Sequence, residues 1–272
     1  MNMIAIVTKR ELREVVRDFN LLFPMLALPA LIALIAGMAV VASSRGPANF
    51  LGQAVGGALL DQVPEQQLRV LVYLDVRDQD TLIRVVLKAL MIPLFWVTPV
   101  ALTSTVAADS FVGEKERNTL EPLLATPISN VQLFAAKLCT AVVPAVIGTW
   151  IGMLFFSLLV SNAQSTYFPR FILADPDWMI SALLLVPLMA LLAASIAALI
   201  STRVATYRSA YQLNGLIVLP IILMLVPQTV VLFLFTPRAL MFIAIFFLFV
   251  DTCLVWLGLQ LFDRERILRG KS

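Results

Sequence analysis

The run WMISALLLVPLMALLAASIAALIS, residues 178–201, decides the fold. It contains no Asp, Glu, Lys or Arg, and a bilayer core about 30 Å thick is crossed by about 20 apolar residues of helix. A backbone in lipid must satisfy its own N–H and C=O groups, which a helix does within one segment and strands do only in a closed barrel. Barrel strands alternate apolar and polar positions over roughly 10 residues. An unbroken run of this length is a membrane helix.

Five further runs of the same kind lie at about 21–42, 85–108, 138–160, 213–235 and 239–262. The chain is 60% hydrophobic and 14% charged, whereas soluble domains carry about 25% charged residues. A soluble globule and a barrel are both excluded. The sequence predicts an all-α polytopic membrane protein of six spans, one transmembrane domain over residues 1–272. In the 213–235 run, Pro220 and Pro227 leave two geometries open, a full span or a re-entrant piece over 228–235. The first run exceeds the roughly 7–15 apolar residues of a secretory signal, so it is read as a retained anchor.

Six spans place both ends of the chain on one side, and the Lys/Arg distribution says which. With the N-terminus inside, the inner segments hold Lys9, Arg10, Arg13, Arg17, Lys115, Arg117, Lys137, Arg203, Arg208, Arg264, Arg266, Arg269 and Lys271. The outer segments hold Arg45, Arg69, Arg77, Arg84, Lys88, Arg170 and Arg238. The inner excess predicts cytoplasmic termini in a cell membrane. The net charge of +3 follows from those flanks and needs no nucleic-acid partner.

Ahead of the first span, Ile4, Val7, Leu12, Val15, Val16 and Phe19 recur near helical spacing, with Lys9, Arg10, Arg13, Glu14 and Arg17 between them. This is the pattern of an interfacial amphipathic helix, which either lies on the membrane or also meets a cytoplasmic partner. The outer segment 43–84 is punctuated by Gly46-Pro47, Gly56-Gly57 and Pro64 and reads as a cap over the bundle, with Asp80 a candidate cap for the second span. Trp178 is placed as an interface anchor. Cys139 and Cys253 fall in or beside apolar spans and read as small packing residues rather than a disulfide.

Between the second and third spans, over about 109–137, the chain turns polar. The stretch Gly113-Glu114-Lys115-Glu116-Arg117-Asn118-Thr119-Leu120-Glu121-Pro122-Leu123-Leu124-Ala125-Thr126-Pro127-Ile128-Ser129 begins with acids, as a helix N-terminus prefers, and continues with strong helix formers. Pro122 ends or reopens that turn, and Thr126-Pro127 forces an extended break. Ser129 with Gln132 three residues later fits a capping box for the helix that becomes the third span. A plain connection needs about 2–8 residues. This one is longer and internally ordered.

Residue by residue the stretch resembles the cytoplasmic signature of type-2 ATP-binding-cassette (ABC) exporter permeases, continuously from Gly113 to Ser129. The six-span pattern with its basic N-terminal helix extends the likeness to nearly the whole chain. The resemblance implies a transmembrane permease subunit whose polar helix is a coupling helix, docked in a groove of a separate cytoplasmic ATPase subunit that binds ATP and Mg. Glu114, Glu116, Arg117, Thr119, Leu120 and Glu121 are then the docking residues. Asn118 departs from the small residue frequent at its position. The resemblance also implies a dimer of permeases, with a second copy or a similar chain, and export across the cell membrane. The loop 202–212, with Arg203 and Arg208, is a weaker second contact by its side alone. Largely uncharged spans suit lipophilic cargo, and sodium export also occurs among similar permeases.

The chain itself lacks the parts of an enzyme. ATP hydrolysis needs a Gly-rich phosphate loop ahead of a helix, and Gly270-Lys271-Ser272 imitates only its tail, with Glu265 where the first Gly belongs. There is no His for a zinc site and no Gly-x-Ser-x-Gly elbow. No catalytic, cofactor-binding or metal-binding residue is assigned.

Asp251 is the one acid near the middle of a span, where a charge costs at least about 2.5–3.5 kcal/mol, so it must face the bundle interior or a wet cavity. It reads either as an interhelical polar contact or as part of the pathway. On the second account an ion-coupled secondary transporter or channel is the alternative function. A non-transporting assembly subunit is the other.

Overall fold

The computed structural model describes residues 79–113, 129–162, 174–201 and 237–261, together with 8–10, 12, 13, 15, 17, 18, 23, 27–35, 37, 38, 204, 209, 212 and 213. Every element among them is helical. Helix α1 (Gln79–Ala108) runs on through a π turn at Asp109–Gly113; α2 is Asn130–Asn162, α3 is Pro176–Ser201 and α4 is Pro237–Leu261. Four stretches are long and apolar enough to cross a membrane: Met91–Val112, Val131–Ser161, Pro176–Ser201 and Pro237–Gln260. They are the predicted second, third, fourth and sixth spans, and the protein is a multi-pass membrane protein. In the predicted first span, residues 27–35, 37 and 38 are helical. The predicted span at 213–235 lies outside the described residues beyond its first position.

The helices outrun their apolar cores. Helix α1 opens at Gln79, so Asp80 sits in its first turn rather than ahead of it. At the other end the π turn carries α1 to Gly113, and α2 begins at Asn130, so both ends of the predicted connection over 109–137 are helical. Helix propagation adds one bond per residue once a turn exists, and it stops where the chain withholds a donor or supplies a cap. Asp175 precedes α3 in extended geometry with Pro176 at the first helical position, the one place where a missing N–H costs nothing.

Helix α3 is the hub, packed against α1, α2 and α4. Its Ala193, Ala194, Ala197 and Ala198 are buried, and such small residues let backbones approach in a solvent where apolar burial alone drives no association. Two apolar layers are stacked along the bundle. One, at the connection end, joins Val106, Phe111, Leu133, Phe134 and Ala197. The other, at the opposite end, joins Phe95, Phe156, Trp178, Met189 and Leu240. Segment 27–38 lies along α2: a Cβ on Gly152 would come within 2.6 Å of Pro29 Cβ, and one on Gly37 within 3.2 Å of Leu159.

Trp178 departs from its predicted role as an interface anchor. It is fully buried, stacked on Phe156 at 5.5 Å and edge-on to Phe95 at 5.8 Å. Aromatic neighbours on two helices offer the indole more contact than a headgroup layer would. Cys139 and Cys253 are free, as expected, yet they face outward rather than packing inside.

Helix α3 carries a π turn at Ser181–Leu185, in which the Val186 N–H donates to the Ser181 carbonyl five residues back. The next donor in that series would be residue 187, but Pro187 has no N–H. The Ala182 carbonyl it would have served accepts instead from Trp150 Nε1 at 2.8 Å. Trp96 Nε1 donates to Ser181 Oγ, also at 2.8 Å. The carbonyl that the proline leaves open in this membrane helix is thus served by a neighbouring indole, as lipid demands.

Candidate functional site

The six predicted docking positions, Glu114, Glu116, Arg117, Thr119, Leu120 and Glu121, lie outside the described residues. Both roots of their connection are described. At the α2 root, the Gln132 N–H donates to Ser129 Oγ and the Ser129 N–H donates to Gln132 Oε1, each at 3.2 Å. This is the predicted capping box, two orphan donors satisfied reciprocally. The Leu133 N–H adds a bond to the Ser129 carbonyl.

The α1 root is held by a residue that sequence reasoning counted only as one more inner base. Lys137, two turns into α2, is 0% exposed. Its ammonium donates to the Ser110 carbonyl and, at 3.3 Å, contacts Ser110 Oγ. It also stands 5.5 Å from the centroid of the Phe111 ring. Here a cation from α2 meets a backbone carbonyl in the π turn that is the last described turn of α1. The aromatic face adds a cation–π contact. Phe111 in turn meets Phe134 of α2 at 6.1 Å between centroids.

One signal for this was present in the sequence. Lys137 is the single Asp, Glu, Lys or Arg in the 33 residues of α2. A lone charge two turns inside an apolar helix needs a partner.

The amphipathic N-terminal segment reaches the same end of the bundle. Lys9, Arg10, Arg13 and Arg17 are exposed and Val15 is buried in the connection-end layer, as the spacing predicts at those positions. Thr8 Oγ1 donates to the Ala136 carbonyl of α2 at 3.5 Å.

Asp251 lies between the two apolar layers. Most of α4 faces outward, with Phe242, Ile245, Phe246, Phe249, Trp256 and Leu257 exposed. Only a narrow seam turns inward, and Leu240, Ala244, Asp251 and Gly258 lie on it. Ala244, Asp251 and Gly258 are seven residues apart, two helical turns each, so they line one face. The Asp251 side chain is 1% exposed. No donor among the described residues reaches either carboxylate oxygen. The expected inward orientation holds; the interhelical hydrogen bond that was one of its two readings is not made among the described residues.

Among the described residues the connection end holds a capped helix start, a π turn clasped by a cation and a layer of small and aromatic side chains beneath them. Residues 5–256 match the model of a family described as ABC-2 family transporter protein. No curated protein matches the chain.

Proposed function

Because the chain belongs to the ABC-2 transporter family, we propose that it is the permease subunit of an exporter, coupled through residues 114–121 to ATP hydrolysis on a separate cytoplasmic subunit. The observation that carries this reading is the continuous signature from Gly113 to Ser129, set on a connection whose roots are both anchored into the membrane helices. The capping box is an ordinary helix start; the Lys137 contact, which crosses from α2 to α1, is the one that ties a root of the connection to a second helix.

On this reading ATP and Mg belong to the partner, and Glu114, Glu116, Arg117, Thr119, Leu120 and Glu121 meet its groove. Two permeases and two ATPases make the assembly, with both termini of the permease in the cytoplasm of a cell membrane. Closure of the ATPases around ATP moves the coupling helix, the helices tilt, and a route opens outward between the permeases; hydrolysis resets it. The amphipathic N-terminal segment is seated at the same end of the bundle.

The test is double charge reversal, Glu116→Arg with Arg117→Glu, followed by co-purification of the ATPase subunit. Loss of most of the bound ATPase is expected. Retention at the wild-type ratio would remove the docking assignment. Asp251 supports a second reading, ion-coupled transport or conduction, because an acid is turned into the bundle with no donor among the described residues. Flux that follows an ion gradient without any ATPase would establish it.

A further inference from the structure

The proposed function states where force enters; the packing beneath the connection points to how it travels. The last described turn of α1 is a π turn, Asp109–Gly113. It is clasped from the side by Lys137, which belongs to a different helix.

We propose that Lys137 is a strut that locks the end of α1 to α2, so that a movement of the 114–129 connection is passed across the bundle to α4. The links are on one line. Ser110 and Phe111 at the α1 root hold Lys137 by a carbonyl, a hydroxyl and a ring face. Phe111 bears on Phe134, three residues before Lys137 on α2. The Phe134 ring fits the notch left by Gly258 of α4, where an added Cβ would lie 2.6 Å from its Cζ. Gly258 stands two turns beyond Asp251 on the inward seam of α4. Movement at the loop root therefore reaches the helix that carries the buried acid.

Lysine suits this duty because its ammonium rides on a flexible four-carbon stem and can follow a carbonyl as the π turn re-forms. It is a positioning residue. It acts through Ser110 and Phe111 and takes no part in gripping the ATPase. The proposal rests on the permease reading above, and its failure is separable from a failure of that reading. If the Glu116/Arg117 reversal leaves the ATPase bound, the docking reading is lost whatever Lys137 does.

The experiment uses the whole permease–ATPase complex in detergent, with Cys139→Ser leaving the outward-facing Cys253 of α4 for a polarity-sensitive maleimide fluorophore. The signal is the fluorescence change on adding ATP and vanadate. Lys137→Met keeps the stem and removes the ammonium; it should reduce the change at Cys253 about fivefold while the ATPase still co-purifies, and Lys137→Arg should restore at least about half of it. Phe111→Leu, which keeps apolar bulk and removes the ring face, should give a loss of about twofold in a variant that does not depend on tolerance of Met at position 137. A wild-type change in Phe111→Leu, or in Lys137→Met with the ATPase bound, overturns the strut. So does a loss in Lys137→Met that Lys137→Arg fails to relieve.

Discussion

Lys137 and Asp251 are both ionisable, both buried inside a membrane bundle, and opposite in how the protein treats them. Lys137 has a carbonyl, a hydroxyl and an aromatic ring arranged around its ammonium. Asp251 has no donor among the described residues on either oxygen. A satisfied buried charge is part of the architecture, since the groups that hold it are displaced with it. An acid that none of the described residues pairs is a cost to the packing around it. Surroundings, not burial, separate a fastening from a site.

That contrast fixes a sign. Replacing Asp251 by Val, close in size and without polar atoms, should raise stability by about 1–3 kcal/mol, read as a higher unfolding midpoint in the same detergent. Removing the Lys137 ammonium deletes its contacts with Ser110 and the Phe111 ring and should shift the midpoint the other way. If Asp251→Val lowers the midpoint, the carboxyl has a stabilising partner and the contrast breaks. If it raises the midpoint while ATP turnover by the complex no longer responds to transport conditions, the acid serves function at the expense of stability.

The π turn of α3 supplies the next test, because it is the neutral counterpart of the cation-capped turn of α1. Trp150→Phe keeps the ring and deletes the donor to the Ala182 carbonyl, which should cost about 1–2 kcal/mol. The reason that carbonyl needs Trp150 is the N–H missing at Pro187. In a Pro187→Ala background the same Trp150→Phe change should therefore cost less than about 0.5 kcal/mol, and the two changes should couple in a double-mutant cycle. Additive losses would mean that Trp150 matters for its ring alone.

What could be read in the sequence was whatever is set locally. The 178–201 run had to be a helix because lipid offers its backbone no other partner, and α3 spans Pro176–Ser201. The Ser129–Gln132 box involves residues three apart and forms as expected. Asp251 had to face inward because the cost of facing lipid is independent of the fold. Lys137 was different: its meaning depends on the end of α1, 27 residues away, and on a π turn that no residue type announces. Trp178 was misplaced for a similar reason, since an indole at a span's edge suits a headgroup layer and an aromatic cluster equally, and only Phe95 and Phe156 decide between them. The stretch from Gly113 to Ser129 was legible as a motif, and the docking residues that its resemblance implies lie outside the described residues. Short-range chemistry was visible; which helix end meets which lysine was not.

The smallest expected effect is also the one that locates the grip. Lys137 contacts two oxygens of Ser110, the carbonyl and the hydroxyl, and the hydroxyl is the longer contact at 3.3 Å. The carbonyl belongs to the backbone and is present whatever the side chain. A hydroxyl can also find a carbonyl in its own preceding turn, as Thr105, Thr140 and Thr149 do. Ser110→Ala should therefore cost only about 0.5 kcal/mol and leave the vanadate response at Cys253 intact. A response lost in Ser110→Ala to the same degree as in Lys137→Met would transfer the grip to the side chain, and a serine rather than a helix end would then be what the lysine holds.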